Sequence, residues 1–236
     1  VKWLELSSEK FEPIPDIQFS LKKPLFAASV VLSFSRLIGH TSGPLHAKAE
    51  LRAQIPLKGP VYFNVEVVGR DDRTSIAFGK IWERDVSKNH GRYFESHVSN
   101  YTIKNSSKLG PSDEVSDSAE KSIEVVNESP ARLLAHLQVF EAFRQSYVVG
   151  ESLYGGYIAL GSRLEALRFD RVSLDSEAAT FEVRSMRVSK MLNEREWNEL
   201  RWHERKPFEI VYDSTAKTLT AARFHVPILG KIELKV

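Results

Sequence analysis

The chain has no cysteine. Disulfides, thiolate nucleophiles and cysteine-based zinc sites are therefore excluded, and a reducing, intracellular setting is favoured. Long apolar runs are missing too. The longest, FAASVVLSF, is about half of the roughly 20 residues a membrane-spanning helix needs, so no span is expected. Charge of one sign is not in excess: 33 Lys and Arg face 31 Asp and Glu, leaving a net +2. That is too little for non-specific binding of nucleic acid, which would enter only through an assembly. None of the seven histidines pairs with another at a metal-ligand spacing. There is no G-x-S-x-G elbow, phosphate loop or dinucleotide fingerprint, so neither a resident metal nor a cofactor is expected.

What is present reads as an ordinary globular domain, with 42% hydrophobic and 27% charged residues over 236 positions. The chain starts at Val1 rather than Met, which leaves room for a removed targeting segment. Its compartment is read as cytoplasm or an organellar matrix, without distinction between them.

The most regular stretch is LHAKAELRAQI, residues 45–55, in which apolar and polar residues alternate without a break. That is a half-buried strand. Ahead of it, Pro24 opens a stretch in which Phe26, Val30, Phe34 and Leu37 recur at helical spacing and Gly39 supplies a stop. The spacing predicts a helix over 25–38, apolar nearly all round and so buried. Strands are expected at about 60–69, 74–84 and 92–103. Residues 104–128 are rich in Ser, Asp and Lys and read as a polar linker.

The second half repeats the order. Ser129 and Pro130 predict a helix start, with Leu133, Leu137, Phe140 and Phe143 as its apolar stripe. A second helix is expected over 152–167 from Leu153, Tyr157, Leu160 and Leu164. Asn193 should cap a short helix in NEREWNELRWHER. Strands are expected at 178–189 and in PFEIVYD, TLTAARFHV and IELKV. The chain thus divides into units at 1–104 and 129–236, joined by 105–128.

The phrase GPLHAKAELRA, its following strand GPVYFNVEVVGRDDRTSIAFGKIW, and LYGGYIALGSRLEAL together resemble the hotdog fold of TesB-like acyl-CoA thioesterases. The match covers roughly residues 24–103, with one further point of likeness at Gly155–Gly156. The resemblance implies an α+β double hotdog, each unit an antiparallel sheet wrapped around a buried helix. It implies an acyl-CoA or similar thioester as ligand and hydrolysis as the reaction. Backbone N–H groups of Gly155 and Gly156, beside Tyr154, would polarise the carbonyl at a helix start. On a helix, Glu165 lies one turn beyond Ser162, so the two read either as a solvated polar face or as a shared site with the carboxylate as general base on water. Independently of the resemblance, Arg184 and Arg187, with Lys190, read as a patch for CoA phosphates or RNA, or equally as a solvated sheet face. The family's usual His or Phe before Gly-Gly is Tyr154 here, and Glu165 comes later than the family's acidic residue. These departures motivate a second expectation: a non-catalytic, hotdog-derived subunit of a homo-oligomer or of a larger ribonucleoprotein or organellar assembly.

Overall fold

A computed structural model describes the backbone of residues 1–6, 17–23, 26–36, 45–55, 59–69, 75–85, 88–98, 102–110, 118–124, 129–135, 137–160, 163–202, 207–226 and 230–236. Side chains are described almost wholly within 1–6 and from 129 onward. Among these residues the protein is nearly all strand. The first half runs β1 (Lys2–Trp3), β2 (Ile17–Lys23), β3 (Phe26–Arg36), β4 (Leu45–Ile55), β5 (Gly59–Gly69), β6 (Ser75–Asp85), β7 (Lys88–Val98), β8 (Thr102–Gly110) and β9 (Ser118–Glu124). The second runs β10 (Leu133–Ala135), α1 (Gln138–Ser146), β11 (Leu153–Leu160), β12 (Arg163–Leu174), β13 (Ala178–Val188), α2 (Glu194–Asn198), β14 (Phe208–Asp213), β15 (Thr218–Val226) and β16 (Gly230–Lys235).

The expected helix over 25–38 is, in its described residues 26–36, strand β3; Leu37 and the stop at Gly39 lie outside the described residues. A spacing of four satisfies a period of two as well as one of 3.6, so Phe26, Val30 and Phe34 fit both. The intervening residues decide it: Ala28 and Leu32 complete the apolar row, while Ser29, Ser33 and Ser35 alternate with it. β-branched Val30 and Val31 add to the strand preference. Pairing brings the apolar rows of three strands into register, with Leu51 opposite Val30 and Phe63, and Ala49 opposite Leu32 and Val65. The alternation read in 45–55 is thus a sheet row continued by its neighbours, not the wrapping of a helix.

The second expected helix, 152–167, is the hairpin β11–β12. Leu160 pairs with Arg163, leaving two residues, Gly161 and Ser162, between the strands. Gly-Ser at a two-residue connection is a hairpin signal, which the four-residue leucine spacing hides. The segment expected as a linker supplies β8 and β9, paired from Thr102↔Glu124 to Lys108↔Ser118. The double-hotdog architecture is thereby overturned. Among the described residues the two helices, α1 and α2, are short, and α1 begins later than its Ser-Pro signal. Ser129 Oγ instead accepts from the Ala131 N–H at 3.1 Å, and Leu137 enters the helix at φ 75°.

Strands β2 to β9 form one antiparallel meander and β11 to β16 another, joined edge to edge through Lys235↔Ser20. β1 and β10 both run parallel along the free edge of β11, β1 at Tyr154–Gly155 and β10 at Tyr157–Ala159. β10 also approaches β6 and β7, far from it in strand order, so the sheet curls back on itself. No helix among the described residues is long and apolar enough to cross a membrane.

Candidate functional site

Strands β11 to β14 carry different side chains on their two faces, and the register assigns them. Tyr154 pairs with Phe169, Phe169 with Val183, and Ala179 with Tyr212. Residues opposite one another share a face, so Tyr154, Phe169, Phe181 and Tyr212 lie together. Helix α1 rests on that face. Phe143 is its centre, with ring centroids at 5.1 Å from Phe169 and Phe181, 5.3 Å from Tyr154 and 5.4 Å from Tyr212. Edge-to-face and stacked geometries both occur, as aromatic quadrupoles prefer.

Beside this hub lies a buried polar centre. The Glu141 carboxylate is fully buried and accepts from Arg144 Nε at 2.7 Å, Arg144 Nη2 at 2.6 Å and Gln145 Nε2 at 2.7 Å. Their i, i+3, i+4 spacing on α1 brings the three together. The Tyr212 hydroxyl is buried with no hydrogen-bond partner among the described residues, while Tyr147 shares a 2.9 Å hydrogen bond with Ser214, two residues on. Tyr154 is fully occupied: its hydroxyl donates to the Val148 carbonyl at 3.0 Å and accepts from the Val148 N–H at 2.9 Å. Tyr157 does the same with Leu192, at 3.1 Å each way.

Burial raises all three phenols. Tyr157 is pushed up to about 12, and Tyr154 and Tyr212 also rise. None serves as a phenolate near neutral pH. A phenol whose pKa rises on folding holds its proton more tightly in the folded state. Its contribution to stability is complete below the ordinary value of 10.0 and is lost as pH climbs toward about 12. Urea midpoints are therefore expected to fall between those values, and Tyr157→Phe to flatten the fall. Absorbance of phenolate should show Tyr154, Tyr157 and Tyr212 titrating only as the protein unfolds. The unpartnered Tyr212 hydroxyl gives a second expectation. Tyr212→Phe keeps the ring and removes a desolvated donor, so stability should be unchanged or rise by up to about 1 kcal/mol in urea denaturation.

The other sheet face is tryptophan-rich. Trp3 stacks on Tyr157 at 5.9 Å and meets Trp197 edge-on at 5.5 Å; Trp197 lies 4.9 Å from Trp202. Arg168 sits 5.6 Å from the Trp197 ring and 5.9 Å from Trp202, with its guanidinium on Asp170 at 2.8 Å. Helix α2 carries Trp197 there, and Asn193 caps it as expected, in a capping box with Glu196 that the structure adds.

The residues expected to form a thioester site are dispersed. Gly155 and Gly156 are mid-strand, not at a helix start, so no helix terminus adds its N–H groups to them. Their bare faces are covered by the chain's own first four residues. A Cβ at Gly155 would meet Trp3 at 2.8 Å and Val1 at 2.9 Å, and one at Gly156 would meet Leu4 at 3.0 Å. The Gly155 carbonyl accepts from the Leu4 N–H at 2.8 Å. Glu165 is buried on β12, between Ile158 and Arg187 in the register. Ser162 lies outside the described residues, so its expected sharing of a site with Glu165 does too. Arg184 and Arg187 are three apart on strand β13 and project to opposite faces. Arg184 joins a charged cluster with Asp170, at 3.5 Å, and Glu182; Arg187 is exposed. No single patch forms from the two. Glu141, Arg144 and Tyr212 were not singled out from sequence: a Glu-Arg-Gln helix triplet has the pattern of a solvated face, and only the sheet beside it buries it.

No family model matches the chain, and no curated protein matches it. Among solved structures, it is similar to a β-barrel-like protein of a domain of unknown function, DUF1849, from Brucella abortus, with a TM-score of 0.52 and 9% identity over 93% of each chain. That likeness speaks to fold alone. It replaces the hotdog thioesterase resemblance with a curled, barrel-like sheet, in agreement with the strand order found here.

Proposed function

We propose that the chain acts by binding, as a non-catalytic component of a larger protein assembly. What carries this reading is the covering of Gly155 and Gly156. Backbone that the sequence offers to a ligand is taken by Trp3 and Leu4 of the same chain. Two further observations support it. Helix α1 fills one face of β11 to β14 with its own aromatic hub, and the neutral phenols of Tyr154 on that face and Tyr157 on the opposite one are committed to backbone groups. The rival reading is acyl-CoA hydrolysis with Glu165 as base.

Purification of the tagged chain from its native source under mild conditions tests the proposal. A stable, stoichiometric partner that survives size exclusion is expected. Elution as a lone chain or a plain homodimer would overturn it.

A further inference from the structure

Large apolar side chains exposed in a folded protein are informative when they cluster. Seven are exposed among the described residues, and four of them, Val148, Val149, Val172 and Leu174, belong to one end of the β11–β12 pair. Val148 and Val149 lie on the connection from α1 to β11; Val172 and Leu174 end β12. Arg171 ties the two together. Its guanidinium donates to the Val149 carbonyl at 2.5 Å and the Glu151 carbonyl at 3.1 Å, and its N–H donates to the Ser152 carbonyl at 2.8 Å.

The sequence and register explain the exposure. The β12–β13 pairing shifts between Arg171 and Ser173, so Val172 is the extra residue of a bulge. Bulges re-aim side chains and end regular pairing. From that point Val172, Ser173 and Leu174 are all exposed, whereas β12 is mostly buried before it. The connection holding Val148 and Val149 is not a loose tip either. Tyr154 fixes both backbone groups of Val148, and the Tyr147 hydroxyl is joined to Ser214. Four apolar groups are thus held outward on a preorganised support, which lowers the ordering cost of binding.

The rim is acidic. Glu151, Asp175 and Glu177 are exposed around the patch. On the adjacent turn Asp213 and Lys217 offset each other in charge, and the Arg171 guanidinium, held on the Val149 and Glu151 carbonyls, offsets one of the three rim carboxylates, so the rim stays net acidic among the described residues. Anionic lipid would be repelled by such a rim, and a basic one would be attracted.

We infer that this end of β11–β12 is a docking face for a partner protein segment with apolar side chains flanked by Lys or Arg. The inference rests on the assembly reading and gives its partner a chemistry. Charge complementarity selects the occupant, and the valines and Leu174 supply the desolvated contact.

A fluorescein-labelled peptide alternating Leu and Lys, and its Leu–Glu counterpart, serve as probes in fluorescence anisotropy with the full chain. The Leu–Lys peptide should bind at least about tenfold more tightly, a difference of about 1.4 kcal/mol. Added salt should narrow the gap. Val149→Asp with Val172→Asp should abolish binding. Val149→Ser with Val172→Ser, which adds no charge, should weaken it with an unchanged thermal melt. Glu151→Gln, Asp175→Asn and Glu177→Gln together should erase the preference between peptides. Equal affinity for both peptides, or binding indifferent to the serine variant, would overturn the inference. So would binding to phosphatidylglycerol vesicles that the same variants abolish, which would make the face lipid-directed, or a dimer that they dissociate, which would make it self-directed. A native partner retained by the serine and aspartate variants would refute this face while leaving the assembly reading intact. Absence of any native partner would refute the assembly reading itself, whatever the peptides do.

Discussion

Phe143→Ala is expected to lose about 4–5 kcal/mol of stability, the upper part of the range for truncating a buried aromatic. Phe143 is 2% exposed and touches rings from four different strands and from Tyr147 on its own side of the core. Truncation removes the ring's transfer free energy and leaves a cavity. Five surrounding rings cannot collapse into that cavity together, since each is fixed by its own strand or by a hydrogen bond. Aromatic pair terms of about 0.5–1.5 kcal/mol are lost on top of area. Typical domains are stable by about 5–15 kcal/mol, so the variant should be close to unfolding at 37 °C. Urea denaturation reads the loss directly. Phe143→Leu, which keeps much of the volume, should recover a good part of it. A loss below about 1.5 kcal/mol for the alanine variant would mean that α1 does not sit in this hub.

Glu141→Ala should cost about 3 kcal/mol. Its carboxylate is fully buried, and the Arg144 side chain that it holds at 2.6 Å is 8% exposed. Removing one member of a buried pair leaves the other desolvated, which typically costs about 3–5 kcal/mol. Arg144 and Gln145 have further contacts, which places the expected cost at the lower end of that range. Glu141→Gln keeps the shape and one acceptor and should cost less than alanine. Glu141→Leu combined with Arg144→Met should recover much of the loss, because neither charge is then buried. If the single alanine variant were as stable as the parent, the ion pair would be solvated and the polar centre would not exist.

The elements legible from sequence were those with a local cause. The alternation in 45–55 identified a strand, and Asn193 identified a helix start, because a cap and a period act within a few residues. Most later strands were equally plain. The failures share one physical origin. Apolar residues four apart fit a helix and a strand equally, and in Leu25–Ile38 and 152–167 the deciding residues were small: the serines of β3 and the Gly161–Ser162 pair of the hairpin. With both helices placed wrongly, Gly155 and Gly156 were assigned a helix terminus that they do not have, and Glu165 a helix face that it does not share. The polar 104–128 segment was read by composition, but strand pairing supplies hydrogen bonds that composition does not reveal. Burial of Glu141 was illegible for a related reason. Its neighbours on α1 are polar at helical spacing, and what covers them arrives from strands far along the chain.

The proposal that the protein binds rather than catalyses rests on the glycine pair and the aromatic face being filled by the chain itself. Steady-state hydrolysis of short-, medium- and long-chain acyl-CoAs, followed by release of free thiol, tests it most directly. The account predicts no saturable turnover above the buffer rate for any chain length, with Glu165→Gln indistinguishable from the parent. Saturable turnover that Glu165→Gln abolishes, in a variant that melts like the parent, would contradict it.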